Sequence, residues 1–154
     1  MPHHKRDGGF TLIELMVVVL VIAVLIGIAI PMFLGFRAQA QDKAAQASLT
    51  TAEKATWLLY LDQGSVPNQA TLLTLMPTIE PNIDWVDHFD ESTGPNVVSM
   101  DQTGGGTQLA LAALSDSGTC FYLQDTPTGA SAGTTYGEDT GCLMSGASAT
   151  ASAW

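Results

Sequence analysis

Beyond Lys54 the chain contains no lysine and no arginine, while acids recur from Asp62 to Asp139. A surface so short of cations cannot neutralise phosphates, which disfavours direct nucleic-acid binding by this part of the chain. The formal charge of -10 serves solubility and mutual repulsion instead. Histidine is almost as scarce. His3 and His4 lie at the start and His88 stands alone in an acidic stretch, so a histidine-dependent triad has one candidate base. The two cysteines, Cys120 and Cys142, are too far apart for a redox or zinc motif, and no other metal-ligand spacing is present. Gly104-Gly105-Gly106 is followed by no lysine and opens no helix, so it is not a phosphate cradle. The parts of an active site are missing, and the chain is expected not to be an enzyme.

What the chain does have is one long apolar run. Leu15 to Phe36 is about 22 residues without a charge, broken only by Gly27, Pro31 and Gly35, enough to cross a hydrocarbon core as a helix. Lys5 and Arg6 precede it, so the positive-inside rule leaves the N-terminus cytoplasmic and the remainder outside. Glu14 sits within its apolar edge, where a carboxylate is costly and therefore points to a function and a partner. Snorkelling of Glu14 to the headgroups is the alternative. A cleaved signal peptide is disfavoured although Ala38-Gln39-Ala40 offers a small-x-small site. The run exceeds a normal h-region and Arg37 intervenes before the cut.

Residues Gly8-Gly9-Phe10-Thr11-Leu12-Ile13-Glu14, with their basic leader and following apolar run, closely resemble the processing motif of type IV pilins and type II secretion pseudopilins. The resemblance implies cleavage between Gly9 and Phe10 by a prepilin peptidase, which also methylates the new Phe10 amine. It implies pairing of Glu14 with the Phe10 amine of a neighbouring subunit, which would offset burial of both charges in an apolar bundle. Pro31 matches the family's helix-kinking proline, and Gly27 to Pro31 is the segment expected to loosen in a filament. The implied partners are copies of the chain and other pilins, the peptidase and methyltransferase, and the inner-membrane assembly platform. The implied location is a single-pass inner membrane precursor and then an extracellular pilus.

From Phe36 to about Leu61 there is no glycine or proline, and Ala45, Leu49, Ala52, Thr56 and Leu59 fall on one helical face. The helix is expected to continue there until Gly64, with Pro67 just beyond. A short helix over Gln69–Met76, capped by Asn68, is expected to stop before Pro77. Glu80 to Pro95 reads as an irregular connection. Its acids Asp84, Asp87, Asp90 and Glu91 around His88 match no EF-hand, and a solvated loop is the favoured reading. Asn96–Met100, Gln108–Leu114 and Thr119–Gln124 read as strands separated by glycine-rich turns. Thr126 to Gly141 reads as a polar loop between Cys120 and Cys142. One cysteine pair beyond a membrane helix suggests a disulfide in an oxidising compartment, with two reduced thiols as the alternative.

The expected architecture is α+β and pilin-like, with a long N-terminal helix, transmembrane and then amphipathic, packed on a small antiparallel sheet. Its expected segments are a cleaved leader (1–9), an assembly helix (10–36), an amphipathic continuation (37–63), a connecting loop (64–95), a sheet (96–125), a disulfide-bounded loop (126–144) and a mobile tail (145–154). The leading function is a pilus subunit for adhesion, motility or DNA uptake, with no cofactor. The rival is a pseudopilin. Major pseudopilins of that family bind calcium in a C-terminal loop, and Asp116, Asp125, Glu138 and Asp139 are weak candidates for such a site. A monomeric membrane-anchored binding domain is a third possibility.

Overall fold

The computed structural model describes residues 9–144 and 154. It separates into two units, Met1–Arg37 and Ala38–Trp154. Helix α1 runs Leu12–Gln63 and contributes to both. Its apolar part has no buried residue, and the helix is continuous through Gly27 and Pro31. The helix stops where expected. Gly64 takes φ +73 and its N–H reaches the Tyr60 carbonyl at 2.8 Å, the left-handed cap that a residue without Cβ adopts cheaply.

In the C-terminal unit the buried face of α1 is Ala45, Leu49, Ala52, Ala55, Thr56 and Leu59. Three of the six are alanines, so that face is built largely of small side chains. Hydroxyls that fit poorly in a helix bond back along it: Thr50 Oγ1 donates to the Gln46 carbonyl and Thr56 Oγ1 to that of Glu53. Helix α2, Gln69–Ile79, begins at Asn68, whose side chain accepts from the Thr71 amide at 3.0 Å. It does not stop before Pro77 as expected. Proline forfeits a single bond in the last turn, and Thr78 Oγ1 to Leu75 O and Glu80 N to Met76 O hold that turn together. Burial of Leu72 and Met76 fixes the helix from its other side.

The sheet has five strands in sequential order: β1 Asp84–Asp87, β2 Val97–Thr103, β3 Gln108–Leu114, β4 Cys120–Thr126 and β5 Gly133–Asp139. The three expected strands are its centre. Both edges were unexpected. β1 lies in the supposed irregular connection and pairs parallel to β2; β5 lies in the supposed loop and pairs antiparallel to β4. Val98, Met100, Leu109, Leu111, Ala113, Phe121 and Leu123 face α1. The opposite face is covered as well: Ala110, Ala112, Cys120 and Tyr122 pack against Cys142 and Met144. β3 is therefore buried on both sides.

The turn from β2 to β3 needs its glycines. Gly104 sits at φ +61, and a Cβ there would lie 2.7 Å from Thr107 Oγ1. Trp154 is half-buried, edge-on to Phe121 and Tyr136, so this last residue is not part of a free tail. The rest of the expected mobile tail, 145–153, lies outside the described residues, as does the expected leader up to Gly8.

Candidate functional site

The N-terminal unit places Gly9 and Phe10 immediately before α1, in non-helical backbone, with Phe10 86% exposed. Helix α1 then starts with a reciprocal cap. The Thr11 amide and hydroxyl donate to Glu14 Oε2 at 2.9 and 2.8 Å, and the Glu14 amide donates back to Thr11 Oγ1 at 3.3 Å. This is a capping box, threonine at the N-cap and glutamate three residues on. The sequence carried the signal in its Thr-x-x-Glu spacing, and reading Glu14 for its charge alone passes over it.

Downstream of that cap, every large apolar side chain from Leu12 to Phe36 faces outward. An apolar surface on all sides of a helix finds shelter only in lipid or among other helices. The helix is long and apolar enough to cross a membrane.

In the C-terminal unit Cys120 and Cys142 are joined by a disulfide, with their Cα atoms 5.3 Å apart. The Tyr122 phenol donates to the Gly141 carbonyl beside it. Burial, then the Asp139 and Glu91 charges, push the Tyr122 phenol above its ordinary pKa. The Cys142 carbonyl accepts from the Ser92 amide at 3.2 Å, tying the disulfide to the loop after β1.

The weak calcium candidates are not brought together. Strand register places Asp139 opposite Cys120 and Asp125 opposite Thr134, at opposite ends of the β4–β5 pair. Asp116 belongs to the β3–β4 turn, whose Ser115 hydroxyl donates to Asp42 of α1 at 2.7 Å. Of the acids around His88, Asp87 lies 2.7 Å from Nδ1, and the second neighbour is Asp101 of β2 at 3.7 Å rather than Asp84 or Asp90. Among the described residues no group of three or more histidine, cysteine or acidic side chains could hold a metal ion.

Fold and N-terminus together define a protein with a membrane-competent helix and an α+β globular unit. Residues 4–30 match the prokaryotic N-terminal methylation motif. The chain is 41% identical over 72 residues to the type IV wide pilus major component PilA4 of Thermus thermophilus, across 46% of this chain and 55% of that protein. It is 47% identical over 54 residues to the type IV major pilin protein PilA of Myxococcus xanthus, across 33% of this chain and 24% of that one. It is 30% identical over 79 residues to type II secretion system core protein G of Pectobacterium carotovorum, across 49% and 51%. The chain thus spans about half the length of the first and third of these relatives and about a quarter of the second. No solved structure matches it. The N-terminal segment is similar to those of type IV major pilins and of type II secretion system core protein G.

Proposed function

We propose that the chain is a structural subunit of a type IV pilus. It is stored in the cytoplasmic membrane with its globular unit outside. It is cut after Gly9, methylated on Phe10 and polymerised through its N-terminal helix with copies of itself and other pilins. One observation carries the reading: a processing motif lies directly ahead of a helix whose apolar surface is unburied on every side. Cutting there removes the leader and keeps the anchor. The freed ammonium lies within a turn of Glu14, and in a bundle of such helices each charge lowers the cost of burying the other. The chain is then a substrate of the peptidase and methyltransferase and is not itself an enzyme. The filament serves adhesion, motility or DNA uptake through its assembly, with no cofactor.

Mass spectrometry of the mature protein tests the processing. An N-methylated Phe10 terminus supports it; an intact Met1 or Pro2, or a start at Gln39 or Gln41, overturns it. Long fibres sheared from cells should contain this polypeptide.

The likeness to core protein G supports a second reading, a pseudopilin forming a short periplasmic piston. A calcium-dependent rise in the melting temperature of the full chain in detergent would favour it. Calcium-independent melting, with the chain present in long sheared fibres, favours the pilus.

A further inference from the structure

Asp125 is the only buried carboxyl among the described residues, 3% exposed on the face of β4 that meets α1. Among the described residues no ion pair involves it. What faces it is more acid and a hydroxyl. Glu53 comes from α1 and Thr134 from β5, directly opposite Asp125 in the strand register. Tyr136 of β5 feels both carboxyl charges, and Tyr60 of α1 lines the same small pocket. β3 and α2 present the apolar Leu109 and Leu72 to that pocket.

Thr134 has one hydroxyl proton. It lies 2.6 Å from Glu53 Oε1 and 3.5 Å from Asp125 Oδ1, so it donates to Glu53 and leaves Asp125 with a marginal contact there and the backbone N–H of Thr126 as its one other donor. An ionised, buried and under-donated carboxylate is costly. Protonation reverses the roles. Asp125 becomes a donor to the free lone pair of Thr134 Oγ1, while Thr134 still donates to Glu53. The result is an aligned chain from β4 through β5 to α1, each bond polarising the next.

We propose that Asp125, Thr134 and Glu53 form a proton-operated clasp between the sheet and α1, closed when Asp125 holds a proton and open when it is ionised. Burial, then the Glu53 charge, raise the Asp125 carboxyl above its ordinary value, outweighing the hydrogen bonds that lower it. A carboxyl whose folded pKa is raised contributes stability below its unfolded pKa, about 3.9, and loses it as pH rises through the folded one. The clasp therefore runs against the usual trend for paired acids. It tightens in mild acid. The inference is independent of filament assembly and holds for a lone subunit.

The test uses the full chain in detergent with its disulfide intact. Wild type and Asp125→Asn, each alone and combined with Thr134→Ser or Thr134→Val, are melted from about pH 4 to about pH 8, the range spanning an upward-shifted carboxyl. Asparagine supplies a permanent donor. Its melting temperature should therefore rise above wild type by a widening margin as pH increases, reaching several degrees. Combined with Thr134→Ser, Asp125→Asn should keep that pH-dependent margin; combined with Thr134→Val, the margin should shrink without vanishing, because burial and the Glu53 charge still oppose ionisation. Carbon-13 titration of the wild-type Asp125 carboxyl gives an independent readout if a variant does not fold. Parallel melting curves for wild type and Asp125→Asn, or a carboxyl that titrates at or below about 3.9, overturn the clasp.

Discussion

Thr11 and Glu14 cap one another, hydroxyl to carboxylate at 2.8 Å and amide to hydroxyl at 3.3 Å. The acid that the filament reading assigns to a neighbour's amine thus has an internal partner first. Thr11→Val removes the hydroxyl and should cost about 1 kcal/mol of local helix stability. Amide exchange at residues 12–15 of the detergent-solubilised chain should quicken in Thr11→Val and stay near wild type in Thr11→Ser. Equal exchange in both variants would show that the hydroxyl does not hold the helix start.

Ser92 is a buried hub. Its hydroxyl accepts the Leu114 amide at 2.8 Å and donates to the Val97 carbonyl. Ser92→Ala leaves both backbone groups without that partner, a loss of about 1–3 kcal/mol. The expected outcome is a lowered melting temperature with the disulfide still formed, checked by calorimetry alongside a free-thiol assay.

Reduction should act further along the chain. The Cys120–Cys142 bond spans a separation of 22 residues that includes β5, an edge strand paired on one side. Losing a loop closure of this size removes about 3 kcal/mol on the entropic account. Cys120→Ser with Cys142→Ser should melt earlier. Hydrogen exchange should quicken most in 127–142, ahead of β2 and β3.

Alkali should loosen the same region. The Tyr122 phenol donates to Gly141, and its pKa is raised in the folded state. Its stabilisation is present below the unfolded value of about 10 and fades as pH rises through the folded one. Tyr122→Phe should be less stable than wild type at neutral pH, with the gap closing in strong alkali. Denaturant melts at several alkaline pH values would show this.

Much of this was legible in the sequence because it rests on strong, local signals. An uncharged run, helical spacing at Ala45, Leu49, Ala52, Thr56 and Leu59, and Gly64 before Pro67 are enough to write α1 from end to end. The edge strands were not legible, for different reasons. β1 is four residues, Asp-Trp-Val-Asp, and aspartate is depleted in strands. It exists because β2 offers a backbone edge and because the Trp85 indole and Ser99 hydroxyl pin its flanks. β5 did carry a signal in Thr-Thr-Tyr, whose Thr134 and Tyr136 meet α1 and the core, but its glycines read as loop. The turn after α2 shows the limit of a proline rule when a buried methionine holds the helix in place. At the N-terminus the processing motif was plain, while the cap between its threonine and glutamate is clear only once the hydrogen bonds are drawn.

The segment from Leu12 to Phe36 turns oily side chains in every direction. It has no dry side to fold inward and no wet side to show. Exposing it to water would set about two dozen apolar residues against solvent at once, so lipid or packed helices are its low-energy surroundings.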